Sequence, residues 1–194
     1  MDKQAILIDC GVPYNKLKRL LYKTKFLFIT HIHSDHLKKT TYQRIRKEFP
    51  RITVMGNWQV HQTLRDYMGD GVDIITVNDQ EYSMKGYTFN PFECPHHGIE
   101  CQGLVFNLKD GRRVIYATDT STLAHAPEGQ YDLLLLEANH DPVKVRMARK
   151  VKGYDPLVNA MRHLSKKDSF DFYLLRRKSP ESEYVELHKS ERFY

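Results

Sequence analysis

Eight residues constrain this chain more than any other stretch, because four potential metal ligands fall within six positions directly after the apolar run at 26–29. The stretch reads Thr30-His31-Ile32-His33-Ser34-Asp35-His36-Leu37. Alternate side chains of an extended strand share a face, so His31 and His33 are expected to point at one metal ion. If the chain then turns into a helix, Asp35 and His36 can face a second ion. The stretch therefore predicts a metal site.

The composition is that of a globular protein, with 41% hydrophobic and 28% charged residues among 194. We expect one domain over 1–194. No apolar run approaches the roughly 20 residues of a membrane helix, and the first residues do not resemble a signal peptide. Three widely spaced cysteines do not form a disulfide framework. We therefore expect a cytoplasmic protein with no membrane partner.

Polar residues recur where predicted buried strands end. The set comprises Asp9, the stretch 31–36, His96, Asp119 and the pair His140-Asp141. Side chains at strand ends are placed to build a site on the rim of a packed sheet. The alternation of strands and helices predicts an α/β fold that carries this site.

Imidazole and carboxylate ligands suit zinc, manganese or iron, and no thiolate cluster suggests a structural zinc. A first site would use three histidines with one open position, and a second would use Asp35 with two histidines. Asp119 could bridge both ions, and water between them would lose its proton near neutral pH. We thus expect two divalent ions and hydrolysis by a metal-bridging hydroxide. The expected ligands are His31, His33 and His96 for one ion, and Asp35, His36 and His163 for the other.

Basic residues outnumber acidic ones by 30 to 24, for a net charge of +6. Such a balance suits a polyanionic partner. The basic residues follow the candidate ligands along the chain, which fits a phosphate-bearing substrate, although many helix-face lysines are simply solvated. They include Lys38, Lys39, Arg44, Lys144, Arg146, Lys166 and Lys167.

The HxHxDH string at 31–36 resembles the signature of the metallo-β-lactamase superfamily, and four later residues match its other motif positions. These are Asp9, His96, Asp119 and His163. The resemblance implies an αββα four-layer sandwich with a binuclear metal site at the sheet edges. It also implies that Asp9 supports the HxHxDH loop by hydrogen bonding from the second shell.

Later strings resemble the small YycJ-type exonucleases, a branch similar to ribonuclease Z. They are Ile8-Asp9-Cys10-Gly11, Ala117-Thr118-Asp119-Thr120, Glu137-Ala138-Asn139-His140-Asp141 and His163-Leu164-Ser165. The resemblance implies a phosphodiesterase, foremost a nuclease acting on DNA or RNA with two zinc ions, or with manganese. Asp35, Asp119 and His140 are then the catalytic residues, and His140 acts as a general acid or a phosphate contact. A homodimer is compatible with the resemblance.

The sequence departs from that branch in ways that bear on the site. The first family hairpin is shortened, which predicts a compact version of the fold. Arg162 replaces a glycine before His163, so it either repositions His163 or contacts phosphate, as Lys38 also could. His97 replaces an aspartate and competes with His96 as ligand. We prefer His96 as the ligand and place His97 and Asp141 in the second shell.

Three other functions remain open. A compact site suits a small phosphodiester such as a cyclic nucleotide. The same metal cluster can hydrolyse a thioester or a lactam. A nucleic-acid-binding module with a decayed site is the non-enzymatic alternative.

Local signals outside the site predict several further features. Lys85-Gly86 and Asp110-Gly111 indicate hairpins, and Asn57 indicates a helix start. A helix is expected from Pro142 to about 151, and another over 170–175 with Ser165 as its cap. His188, at the end of a predicted last strand, is expected to be exposed.

Overall fold

The computed structural model describes residues 4–150, 153 and 155–194. Contacts divide the chain into two units, one up to Val77 and one from Asn78 onward, and each is described by itself. The prediction of a single domain over 1–194 stays a prediction.

The first unit is a parallel four-stranded sheet in the order β1-β2-β3-β4 with three helices. Its elements are β1 (Ala5–Ile8), α1 (Tyr14–Leu21), β2 (Thr24–Ile29), α2 (Lys39–Glu48), β3 (Thr53–Gly56), α3 (Trp58–Met68) and β4 (Ile74–Ile75). The inner strand β2 is apolar and almost entirely buried, as a parallel strand covered on both faces must be. It pairs with β1 on one side and β3 on the other. The loop after β2 therefore lies at the rim formed by the carboxyl ends of these strands.

The predicted start of α3 at Asn57 is confirmed. The Asn57 side chain accepts a hydrogen bond from the Val60 amide at 2.8 Å, and Gly69 ends the helix in the left-handed region at φ 77°. Glycine adopts this conformation without the Cβ penalty, which explains why the helix stops there.

The second unit is a six-stranded mixed sheet in the order β10-β9-β8-β7-β6-β5. Its strands are β5 (Tyr82–Met84), β6 (Tyr87–Glu93), β7 (Gln102–Asn107), β8 (Arg113–Ala117), β9 (Leu133–Glu137) and β10 (Glu183–Leu187). The pairs β5–β6, β6–β7 and β7–β8 are antiparallel, and both predicted hairpins are present. Strands β8, β9 and β10 are parallel. Their carboxyl ends therefore meet at one edge.

The helices of the second unit are α4 (Pro142–Met147), α5 (Pro156–Ala160) and α6 (Lys166–Arg176). The prediction that α4 continues to about 151 is wrong at Ala148, where the backbone turns extended, and Val151 lies outside the described residues. Helix α6 begins at Lys166, four residues before the predicted start, directly after the Ser165 cap. In the part of the chain that the structure describes, no helix is long and apolar enough to cross a membrane.

Candidate functional site

The loop after β2 carries two histidines whose ring nitrogens converge. His31 is fully buried, and its Nε2 lies 3.0 Å from Nδ1 of His33. The other nitrogen of His31, Nδ1, is 3.0 Å from the Thr30 hydroxyl. The predicted pairing of His31 and His33 on one side of the chain is therefore present.

A buried carboxylate, Asp9, organises the loop that follows. One of its oxygens accepts a hydrogen bond from the Thr30 amide at 2.8 Å, and the other lies 2.6 Å from Nδ1 of His36. Burial raises the pKa of Asp9, and the contacts with His36 and Thr30 offset only part of that rise. Because His36 meets Asp9 through Nδ1, its Nε2 is directed away from the carboxylate, as in metal-binding histidines.

The backbone at 9–11 explains why Asp9 reaches this loop. Asp9 has a φ of 63° just after β1, and the Cys10 amide donates to the His36 carbonyl at 2.8 Å. A Cβ on Gly11 would lie 1.6 Å from the Asp35 carbonyl oxygen. Only glycine permits this close approach of the two loops.

Asp35 and Lys38 lie at the exposed side of the same loop. The Asp35 side chain is 67% exposed, and its Oδ2 is 3.6 Å from Nε2 of His36. Lys38 is exposed immediately before α2. An exposed carboxylate beside a held imidazole can take up a ligand role without a desolvation cost.

In the second unit, Asp119 gathers three imidazoles. Its side chain is nearly buried, and the same oxygen, Oδ1, lies 3.8 Å from Nε2 of His96, 3.9 Å from Nδ1 of His163 and 3.5 Å from Nδ1 of His188. The Thr118 hydroxyl is 3.1 Å from the other oxygen. The structure thus brings together three of the predicted residues, His96, Asp119 and His163.

Glu137 is a member of this cluster that the sequence reasoning missed. The carboxylate is fully buried at the end of β9, with Oε1 2.7 Å from Nδ1 of His163 and 2.8 Å from Nδ1 of His188. The Thr120 amide donates to Oε2 at 2.8 Å. Burial works to raise the pKa of Glu137, but the hydrogen bonds with the two histidines outweigh it and hold the pKa below its usual value. The sequence signal for Glu137 was its position at the end of an apolar strand. A glutamate is rarely buried without a partner, so this position indicates a charged or hydrogen-bonding partner nearby.

The prediction that His188 is exposed is wrong. It is half-buried and contacts both Glu137 and Asp119. The cause is the parallel register of β9 and β10, in which Leu187 lies opposite Glu137. The strand-end pattern that selected the other candidates applies equally to His188.

The two neighbouring histidines at 96 and 97 differ in burial. His96 is 7% exposed and faces Asp119. His97 is exposed, with a φ of 46°. The preference for His96 as a ligand matches this placement, and the second-shell role of His97 stays a prediction.

His140 lies on a cavity of about 380 Å³ together with His163, Arg146 and Lys167. The residue is 8% exposed, and its Nδ1 has no hydrogen-bond partner among the described residues. Burial lowers the pKa of His140, which favours the neutral imidazole. It can offer one N–H and one acceptor nitrogen to whatever enters the cavity.

Two further predicted residues have structural surroundings of their own. The Asp141 carboxylate caps α4 by accepting from the Val143 amide at 2.8 Å, and this bond holds its pKa low. Arg162 is half-buried next to His163. The phosphate contact proposed for Arg162 and the second-shell role of Asp141 stay predictions.

The donor atoms fit divalent metal ions. Asp119, Glu137, His163 and His188 each offer one donor atom, and these atoms all lie within 4.8 Å of one another. Within the first unit, taken by itself, the ring nitrogens of His31 and His33 converge at 3.0 Å. Imidazole nitrogen with carboxylate oxygen suits zinc, manganese or iron. The residues present therefore fit the metal ions that the HxHxDH signature implies.

Three solved structures resemble this one over nearly its whole length. A diphosphatase from the PhnP family is 22% identical with a TM-score of 0.65, over 100% of this chain and 72% of that chain. Human tRNase Z, short form, is 17% identical with a TM-score of 0.68, over 99% and 84%. The protein YhfI from Bacillus subtilis is 16% identical with a TM-score of 0.66, over 97% and 75%. A comparison with curated proteins gave no significant match.

The fold and the site residues define a metallo-β-lactamase-type protein. The model of the family described as "Beta-lactamase superfamily domain" matches residues 4–169, and the chain belongs to that family. The predicted superfamily, the α/β fold class with two sheets, and a metal-dependent hydrolase are thereby confirmed.

Proposed function

We propose that this hydrolase cleaves phosphodiesters, and that its main substrate is DNA or RNA. The observation that carries the proposal is the cavity on which two imidazoles, His140 and His163, lie together with two cations, Arg146 and Lys167. Imidazoles beside guanidinium and ammonium groups suit a phosphate better than an uncharged lactam. The similar structures of a diphosphatase and a tRNase Z support the same substrate class.

We further propose two divalent ions, with zinc preferred and manganese as the alternative. Their proposed ligands are His31, His33, Asp35, His36, His96, Asp119 and His163, with Asp119 shared. The imidazole nitrogens and carboxylate oxygens of this set are the support. When bound, such ions activate water and neutralise phosphate charge.

The protein's own groups would then orient the ligand histidines and protonate the leaving oxygen. Asp9 and Glu137 each fix the Nδ1 side of a histidine, which sets the orientation of the ring. His140 donates a hydrogen bond to the scissile phosphate or a proton to the leaving oxygen. An approaching phosphate favours the protonated imidazole and offsets the effect of burial on the pKa of His140. Lys38 and Arg162 are proposed as phosphate contacts.

The decisive experiment presents the zinc- or manganese-loaded protein with single-stranded DNA, duplex DNA, RNA, cyclic nucleotides and a thioester. Cleavage of a nucleic acid is expected, and Asp119→Ala should abolish it and release metal. Turnover of the thioester alone, with metal bound, would overturn the proposal. Wild-type activity in Asp119→Ala would show that Asp119 does not bridge.

A cyclic-nucleotide phosphodiesterase is the second candidate, because about 380 Å³ is the size of a small-ligand site. Preference for cyclic nucleotides in the same panel would select it.

The three cysteines are free and buried, which supports the proposal of a reducing cytoplasmic location. The mass of the protein in solution would test for the homodimer.

A further inference from the structure

A second, larger groove lies on the surface formed by α4, α6 and β10. Its volume is about 1090 Å³, and it combines an apolar floor with a basic rim. The floor includes Val143, Phe170, Tyr184 and Val185, and the rim includes Arg146, Lys166, Lys167 and Lys189. The site described above uses none of the floor residues.

The aromatic part of the floor is held in place before any ligand arrives. The Tyr184 hydroxyl is 2.8 Å from the Ser169 hydroxyl, and the Tyr184 ring stacks on Tyr173 with centroids 4.9 Å apart. Phe170 packs beside Tyr184 at 6.0 Å, and 45% of its surface stays exposed. An exposed phenyl ring that packs against a held tyrosine offers a stacking surface to a base.

The charge on the groove is positive. Its four cations face two acidic residues, and both acids are engaged, since Asp141 caps α4 and Glu186 pairs with Lys189 at 2.7 Å. Lys167 pairs with Asp171 at an exposed position, where an ion pair is weak and readily exchanged. Arg146 and Lys166 add exposed positive charge. The surface therefore complements an anionic chain that also carries flat, apolar groups.

The groove borders the cavity on which His140 and His163 lie. Pro142, Arg146 and Lys167 line both spaces. A substrate with its phosphate at His163 and His140 that extends past Arg146 would enter the groove directly. A mononucleotide would end before it.

We propose that this groove binds the nucleotides next to the scissile phosphate of a single-stranded nucleic acid. One base stacks on Phe170, and the flanking phosphates lie along Arg146 and Lys166. The base must be unpaired, because only a base splayed out of a duplex can stack on a side chain. The proposal rests on the proposed function and adds to it a single-stranded substrate longer than one nucleotide.

The test measures binding and cleavage separately. Fluorescent oligonucleotides of two, four and eight unpaired nucleotides with uncleavable phosphorothioate linkages are titrated with the metal-loaded protein, and cleavage of the matching phosphodiester strands is measured with the same protein. Phe170→Ala should weaken binding of the eight-nucleotide strand by about 5- to 150-fold, the range for one base–aromatic stack. Phe170→Tyr keeps a ring and should bind within about twofold of wild type. Leu174→Ala, equally exposed on α6 but not lining the groove, is the matched control and should bind as wild type does.

The possible results are separable. If Phe170→Ala has the circular dichroism of wild type but loses affinity, and the loss grows with strand length, the groove binds single-stranded nucleic acid as proposed. Equal affinity of Phe170→Ala and wild type at every length overturns it, while cleavage by the wild type leaves the proposed function standing. If Phe170→Ala binds oligonucleotides as wild type does but has a different mass in solution, the groove is a contact between copies of this chain. That result would also overturn the proposal. Length-dependent binding that needs Phe170, without cleavage of any phosphodiester, would sustain the groove and reject the proposed function.

Discussion

At the scale of single residues, three members of the site share an unusual backbone. Asp9, Asp119 and His188 all have positive φ, at 63°, 51° and 50°. Such conformations cost about 1–3 kcal/mol for residues other than glycine and persist only where contacts over-determine them. Asp9 is held by Thr30 and His36, and His188 by Glu137. Three of the six described non-glycine residues with positive φ are therefore site residues at strand ends.

His140→Ala is expected to keep its metal and to lose rate by about 10²–10⁴-fold, because it removes a group that acts on the phosphate or the leaving oxygen. Metal analysis and the pH profile of kcat are the measurements, and the variant should lose one limb of that profile. His125→Ala, at an exposed histidine near Glu93, is the control and should match wild type. Metal loss in His140→Ala would make His140 a ligand instead.

Single replacements of His163 and His188 would show which of the two histidines coordinates the metal. Both imidazoles share Oε1 of Glu137, and both lie near Asp119. If His163 coordinates as proposed, His163→Ala should lower the metal content from about two ions per chain to about one, and His188→Ala should retain both. The reverse pattern, measured by metal analysis on folded protein, would assign the ligand role to His188.

At the scale of elements, the contact between the loop after β1 and the HxHxDH loop depends on Gly11. Gly11→Ala would drive a methyl group into the Asp35 carbonyl, so we expect a loss of stability and of metal affinity together. Gly69→Ala is the control, since its site has open space around the Cβ and only a positive φ. That substitution should cost about 1 kcal/mol. Denaturant unfolding and a chelator competition would measure both, and normal metal affinity in Gly11→Ala would contradict the argument.

Strands β8 and β9 are joined to the end of α6 through Asp132, which gives a pH-dependent stability. Its carboxylate accepts from the Arg113 amide at 2.8 Å and pairs with Lys178 at 2.9 Å, and these contacts hold the pKa of Asp132 below its usual value. A depressed folded pKa stabilises the protein above the unfolded pKa, and the gain is lost as the pH falls through the folded value.

Asp132→Asn should therefore unfold more easily than wild type at pH 7, with the difference shrinking below about pH 4. Urea unfolding across that range is the measurement. Lys178→Met removes only the ion pair and should lose part of the effect. A difference that stays constant with pH would show that the charge of Asp132 is not the cause.

At the scale of the whole molecule, bound metal should couple to folding, because the proposed ligands come from strand ends far apart in sequence. Metal that binds only the native state adds about 2.7 kcal/mol at a concentration of 100 Kd. We expect a chelator to lower the Tm and added zinc or manganese to restore it. Asp119→Ala should show a much smaller shift, and equal Tm values with and without metal would contradict native-state binding.

Local chemistry let several features be predicted without tertiary information. The HxHxDH spacing, the Asn57 and Ser165 caps and the glycine hairpins all depend on residues within a few positions of one another, and all are present. Their geometry follows from turn conformations and short-range hydrogen bonds. Membership in the superfamily could be inferred for the same reason, since its signature is a local string.

Glu137 and His188 were beyond such reasoning. They lie 51 positions apart in sequence, and only the parallel pairing of β9 with β10 brings them to the same imidazole–carboxylate cluster. The choice between His96 and His97 likewise depends on which side chain the folded loop buries. Residue types and their local spacing determine which chemistry the chain can perform, while strand register and burial decide which of its ten histidines are placed to perform it, because contacts between distant residues form only when the sheet closes.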